Sequence, residues 1–241
     1  MTNASRDEAR RRLILALDVP DLDAARALLD RLAGQVGLVK VGLELFTACG
    51  PEAVRVVKAC GYEVFLDLKL HDIPNTVAGA VRSAMALDVA MLTLHAAGGR
   101  EMIAKAREAA GDRTMLLGVT LLTSLGAEDL GPGAMIDDPS EVVRRRAVLA
   151  ATSGCGGIVC SPQEVAMVRA AVGPATRIIT PGIRPAGAEM ADQKRAATPG
   201  SAIADGSDYL VIGRPISGAP DPAAAASRIV DEIADALAAR G

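Results

Sequence analysis

The chain has no tryptophan, only two tyrosines and two phenylalanines, so aromatic residues make up 2% of its 241 positions. Proteins that grip single strands by stacking bases need aromatic platforms, and their scarcity excludes that mode. An excess of positive charge is missing too. Twenty-six Lys and Arg stand against 29 Asp and Glu, a net charge of −3, with no polybasic stripe to follow a phosphate backbone. No nucleic-acid partner is expected. Cysteine is sparse: Cys49, Cys60, Cys155 and Cys160 include no C-x-x-C pair and read as small core residues in a reducing compartment. With only His71 and His95, and no H-E-x-x-H, a structural zinc site is not expected. Long hydrophobic runs are also lacking. The first apolar stretch, Leu13 to Leu17, ends at Asp18 and is far too short for a signal segment or a membrane span. These absences describe a soluble, cytoplasmic protein with no membrane partner, whose residues 1–10 form a polar, partly frayed N-terminal extension.

What the chain does have is apolar material: half its residues are hydrophobic. Short leucine-rich or β-branched runs at 13–18, 38–41, 64–69, 90–95, 114–120, 157–160, 177–180 and 209–212 read as strands. Amphipathic, alanine-rich segments lie between them, among them 22–33, 76–87, 99–110, 141–153, 162–171 and 222–239. Eight strand–helix alternations without a linker predict parallel strands with crossover helices. The length suits one (β/α)8 barrel, the TIM barrel, which runs to about 250 residues as a single domain. A doubly wound open sheet shares the alternation, but no G-x-G-x-x-G follows the first strand. Residues 1–241 are therefore read as one barrel domain.

In such barrels the βα loops converge at the C-terminal ends of the strands, and sites form there. Asp18, Lys40, Lys69, His95, Thr120, Ser161, Gly182, Gly213 and Arg214 all fall at or just past predicted strand ends. The segment 182–201, with Arg184 and Gln193, is long and polar for a connector and reads as a flap that closes over a ligand. Within Val64-Phe-Leu-Asp67-Leu-Lys69-Leu-His71, the period of two sends Leu66, Leu68 and Leu70 toward the helices and Asp67, Lys69 and His71 into the mouth. The same rule turns Lys40 inward from the second strand and Asp18 inward from the end of the first. Inward charges on adjacent strands are costly unless paired. A purely structural ion network would explain them, but four converging charges point to chemistry. Asp72 precedes Ile73-Pro74 and reads on its own as a helix-entry residue. Gly213-Arg214, at the start of a helix after the last strand, suits a phosphate through backbone N–H groups and a guanidinium.

Asp67-x-Lys69-x-x-Asp72, running on through Ile-Pro-Asn to Thr76, resembles the signature of the orotidine 5′-phosphate decarboxylase family. Further blocks occur in that family's order: Leu17-Asp18-Val-Pro, Val39-Lys40-Val-Gly, Leu122-Thr123-Ser, Thr180-Pro-Gly-Ile-Arg184, Asp192-Gln193-x-Arg195 with Thr198-Pro, and Asp208 through Gly213-Arg214-Pro-Ile. The stretch 131–138 matches least well. The resemblance implies conversion of orotidine 5′-monophosphate to uridine 5′-monophosphate and CO2, in the last step of de novo pyrimidine nucleotide synthesis, without a metal or organic cofactor. It implies that Lys69 is the general acid, that Asp67 holds it and crowds the substrate carboxylate, and that Lys40 balances charge. It further implies that Lys40 and Asp18 hold ribose hydroxyls, that Thr123 reads the pyrimidine edge, and that Arg184, Gln193, Gly213 and Arg214 take the phosphate. In a homodimer, Asp72 and Thr76 would reach the partner's site.

Two other functions share part of this pattern. Sugar-phosphate enzymes of the same superfamily carry Asp-x-Lys-x-x-Asp but use magnesium, held by an acidic residue where this chain has Lys40. A non-catalytic barrel that senses a phosphorylated ligand would have no need of alternating buried lysine and aspartate.

Overall fold

The computed structural model describes residues 3–32, 34–125, 138–185 and 197–240. Eight parallel strands close into a barrel in sequence order: β1 (Leu13–Ala16), β2 (Leu38–Val41), β3 (Glu63–Leu70), β4 (Met91–His95), β5 (Met115–Val119), β6 (Gly157–Val159), β7 (Arg177–Pro181) and β8 (Tyr209–Ile212). β8 pairs back onto β1, Leu13 against Leu210 and Leu15 against Ile212. This is the (β/α)8 barrel expected from the alternation, and each of the eight predicted strands is present with ends shifted by at most two residues.

The helices are α1 (Asn3–Arg12), α2 (Leu22–Leu32), α3 (Leu43–Cys49), α4 (Glu52–Ala59), α5 (Pro74–Met85), α6 (Gly99–Ala110), α7 (Pro139–Thr152), α8 (Val165–Val172), α9 (Pro199–Asp205), α10 (Arg214–Ser217) and α11 (Pro222–Arg240). Local chemistry explains their starts. Pro74 opens α5 at a position whose N–H has no helical partner, Asp138 accepts from Ser140 N–H at the head of α7, and Thr198 does the same for Ser201 in α9. In α2, Ala25, Leu28, Leu29 and Leu32 fall on one stripe and are buried against the barrel.

The core has two layers. Alternate residues of the strands, Ile14, Leu38, Phe65, Met91, Leu117, Ile179 and Val211, fill the barrel interior, while Leu13, Leu15, Val64, Leu66, Leu92 and Ile178 pack outward under the helices. Gly157 keeps that interior open on β6, because a Cβ there would lie 2.6 Å from Leu117 and 2.9 Å from Ile179.

Three expectations need correction. Residues 3–12 are not frayed. They form α1, which buries Ala9 and is clasped to α11 by Arg6, whose guanidinium binds Asp231 at 2.8 Å and the Ser227 hydroxyl at 2.6 Å. The long polar segment is shorter at its C-terminal end, because Thr198 caps α9 and residues 199–201 are helical. Of the cysteines, Cys155 and Cys160 are buried, whereas Cys49 and Cys60, at the ends of α3 and α4, are half-buried. Burial pushes the Cys155 thiol up to about 12, so it stays protonated and inert at neutral pH.

Candidate active site

At the C-terminal mouth of the barrel, charges of alternating sign run across three adjacent strands. Lys40 pairs in register with Ala16 of β1 and Phe65 of β3, which places its side chain between Asp18, just past β1, and Asp67. The Lys40 ammonium lies 3.1 Å from Asp18 Oδ1 and 3.6 Å from Asp67 Oδ2. Lys69 Nζ donates to both Asp67 oxygens at 2.9 Å. The line is driest in its middle: the side chains of Asp67 and Lys40 are 10% and 12% exposed, those of Lys69 and Asp18 29% and 53%. Burial alone would push the Asp67 carboxyl up. The Lys40 and Lys69 ammonium groups, with hydrogen bonds from Lys69 and Thr93, outweigh it and hold the carboxyl below its ordinary value. Asp67 is therefore an anion at neutral pH.

The strand that carries this pair is not regular. Between the β3–β4 pairs Leu66↔Leu92 and Leu70↔Leu94 the register shifts, and Lys69 takes a left-handed backbone, φ 48°. The kink turns a lysine that would stand one strand repeat from Asp67 back against its carboxylate. Thr93 of β4, which sequence reasoning passed over, sits opposite and binds both residues. Its signal was available, since Thr93 falls on the inward face between Met91 and His95. Gly42, just past β2, was also missed. A Cβ there would lie 2.7 Å from Lys40 Nζ and 3.2 Å from Asp18 Oδ1, so any side chain at this position would push the end of Lys40 aside.

A cavity of about 160 Å3 opens beside the two lysines. Its floor is apolar, made by Phe65, Val119, Val159, Ile179 and Val211, and its rim includes Lys40, Asp67, Lys69 and Thr123. One end of a ligand would thus meet oil and the other a line of charge. Two larger cavities, of about 210 and 250 Å3, lie at the opposite, N-terminal ends of the strands, beside Met115 in one case and Arg177 and Tyr209 in the other. Neither is lined by a lysine–aspartate pair, and chemistry rather than size makes the mouth the candidate site.

The remaining predicted residues are placed as follows. Gly213 precedes Arg214, which opens α10 at the C-terminal end of β8 and is exposed. Arg184 Nη1 donates to the Ile183 carbonyl at 3.0 Å, and Ile183 bridges to Ala197. Gln193, and with it most of the predicted flap, lies outside the described residues. Asp72 and Thr76 are exposed and are not brought into the charged line. The Asp72 carboxylate accepts from Ile73 N–H, and the residue at the N-cap of α5 is Ile73 rather than Asp72. His71 and His95 face each other with ring centroids 5.2 Å apart. Burial, and then the neighbouring His71 and Lys69, hold the His95 imidazole below its ordinary value, so it is neutral at neutral pH. Among the described residues no group of three or more His, Cys, Asp or Glu is placed to hold a metal ion, and no helix is long and apolar enough to cross a membrane.

Comparison with known proteins identifies the family. Residues 11–229 match the "Orotidine 5'-phosphate decarboxylase / HUMPS family". An orotidine 5'-phosphate decarboxylase of Anaeromyxobacter sp. (strain K) is 55% identical over 218 residues, 90% of this chain and 96% of that protein. One from Moorella thermoacetica is 50% identical over 237 residues, 95% of this chain and 94% of its own. Among solved structures, orotidine 5'-phosphate decarboxylase from Lactobacillus acidophilus superimposes with a TM-score of 0.81 at 37% identity, covering 92% of this chain and 98% of that one.

Proposed function

Because the chain belongs to the orotidine 5'-phosphate decarboxylase / HUMPS family, we propose that it is a carboxy-lyase converting orotidine 5′-monophosphate to uridine 5′-monophosphate and CO2, the closing step of pyrimidine nucleotide synthesis. The observation that carries this reading is the Lys69 ammonium held against the buried Asp67 carboxylate at the edge of the cavity. Loss of CO2 from C6 of the pyrimidine leaves an electron pair at a vinyl position with little delocalisation. A cation fixed beside that carbon stabilises the pair as it develops, and the same ammonium then donates a proton to C6. Asp67 holds Lys69 aimed, and its own negative charge opposes the substrate carboxylate until that group departs. Lys40 offsets the doubled negative charge, and with Asp18 it holds the ribose hydroxyls.

Thr123, on the rim, reads the edge of the pyrimidine. Gly213 and Arg214, with Arg184 and Gln193 from the segment after β7, take the phosphate, and binding energy from that remote group holds the closed site. Lys40 puts a cation where the magnesium-dependent sugar-phosphate enzymes hold an acidic ligand, which favours the nucleotide over an enediolate substrate. We read the protein as a cytoplasmic homodimer in which Asp72 and Thr76 complete the partner's site. Support comes from Ile73, Leu43 and Leu122, the exposed large apolar side chains among the described residues, all just past C-terminal strand ends where a second subunit would cover them.

The test is incubation of purified, chelator-treated protein with orotidine 5′-monophosphate while following its ultraviolet absorbance. Turnover without added metal is expected, with Lys69→Ala inactive but still binding the product nucleotide. Full activity in Lys69→Ala would remove Lys69 from the chemistry.

A further inference from the structure

Thr93 lies in the middle of β4 with its side chain in the barrel interior, 1% exposed. It pairs in register with the apolar Leu117 on one side and faces the irregular stretch of β3 around Asp67 on the other. A hydroxyl at such a position must find partners inside the protein. Thr93 Oγ1 accepts from the backbone N–H of Lys69 at 2.9 Å and donates to Asp67 Oδ1 at 2.9 Å. The direction of both bonds is fixed: a backbone amide can only donate, a carboxylate can only accept, and the hydroxyl has one proton.

The Lys69 amide needs this acceptor because the β3–β4 ladder breaks there. Leu66↔Leu92 and Leu70↔Leu94 leave Asp67, Leu68 and Lys69 opposite Thr93 alone. Lys69 is also one of only two non-glycine residues, among those described, at positive φ. Such a backbone persists only where its surroundings hold it. Each Asp67 oxygen has two partners in consequence: Oδ1 has Thr93 and Lys69, and Oδ2 has Lys69 and Lys40. Asp67 cannot rotate without breaking several contacts at once.

We propose that Thr93 is a positioning residue, whose hydroxyl ties the kinked backbone of Lys69 to one oxygen of Asp67 and so delivers the ammonium against the carboxylate at the edge of the cavity. The inference rests on the reading of Lys69 and Asp67 as the reacting pair.

Thr93→Val keeps the shape and removes the hydroxyl; Thr93→Ser keeps the hydroxyl. In Thr93→Val, kcat for orotidine 5′-monophosphate should fall by about tenfold to a hundredfold, the span for losing a hydrogen bond to a charged group. KM and uridine 5′-monophosphate affinity should change little. The acidic limb of the kcat–pH profile should move to higher pH, since Asp67 loses a donor while Lys40, Lys69, Asp18 and His95 still surround it. Thr93→Ser should restore both kcat and the limb. A Thr93→Val enzyme with unchanged kcat, or one that is only less heat-stable with its pH profile unmoved, overturns the proposal, as does failure of Thr93→Ser to rescue. Thr93→Ala is the second variant if Thr93→Val gives no folded protein by circular dichroism, and misfolding of both overturns a role confined to positioning. Lys69→Ala separates the two levels. If it is inactive while Thr93→Val works normally, only the role of Thr93 falls; if it is active, the reading beneath it falls as well.

Discussion

Replacing Asp67 with asparagine removes the carboxylate that two ammonium groups share and changes almost nothing in volume. At the observed separations of 2.9 Å to Lys69 and 3.6 Å to Lys40, and an effective dielectric near 20, each attraction is worth about 5 kcal/mol before desolvation is subtracted. Removing one member of a buried ion pair typically costs about 3–5 kcal/mol, because the other charge stays behind without its partner. Lys69 is partly solvated, which favours the lower end, about 3 kcal/mol. The asparagine carbonyl can still accept from Thr93, but its amide then presents N–H groups to an ammonium. In a protein of this size the loss corresponds to a fall in Tm of about 6–12 °C.

The sign with pH follows from the lowered Asp67 value. The folded protein keeps this carboxyl ionised below the ordinary 3.8, so its stabilisation is complete above that pH and disappears as pH falls through the folded-state value. The stability gap between wild type and Asp67→Asn should therefore be widest near neutrality and narrow in acid. Urea unfolding of both proteins in steps from about pH 7 down to about pH 2.5 measures it. Turnover of the variant should fall about a thousandfold or more, as for loss of a preorganised electrostatic group. Equal melting temperatures at neutral pH, or a gap that does not change with pH, would refute the idea that Asp67 is held ionised by its two lysines.

Gly42→Ala suits a backbone at φ −97°, so the chain should still fold, with a stability loss of about 1–3 kcal/mol as the new methyl pushes the end of Lys40 off Asp18. The displaced ammonium should also lower kcat/KM about tenfold or more, measurable by the absorbance assay. His95, held below its ordinary 6.5, binds fewer protons folded than unfolded, so the protein should lose stability as pH drops below that value. In His95→Gln that part of the slope should vanish in urea titrations at about pH 7.5 and about pH 5.5. Mixing inactive Asp72→Ala with inactive Lys69→Ala subunits should restore one working site per mixed dimer; no recovery after demonstrated exchange would place Asp72 outside the partner's site.

Much of the site was legible because a strand's period of two needs no tertiary information. Asp18, Lys40, Asp67 and Lys69 were placed on the inner face by alternation, and the ion pairs follow that placement. The kink at Lys69 was not legible. It depends on a register slip against β4, a property of two strands 24 residues apart rather than of either alone. Thr93 and Gly42 were missed for a related reason: one is a mid-strand residue, and the other matters through the space it leaves to a neighbour. α1 was read as frayed because it is polar and charged throughout, and its anchors, Asp231 and Ser227, lie more than 220 residues away. The helices α3 and α4 between β2 and β3 also went unread, although Ala53, Val54 and Val57 of α4 form a buried stripe.

The apolar floor of the cavity has its own consequence. Phe65, Val119, Val159, Ile179 and Val211 each come from a different strand, held in place by the ladder rather than by loops. On the proposed reading they set how deep a flat ring can descend from the mouth. Adding or removing a methylene on this base would then raise or lower the ring relative to the lysines while leaving the ionic groups themselves in place. On that reading, the choice of heterocycle would be set by the base of the barrel and the chemistry by the charged rim, two features that can change independently.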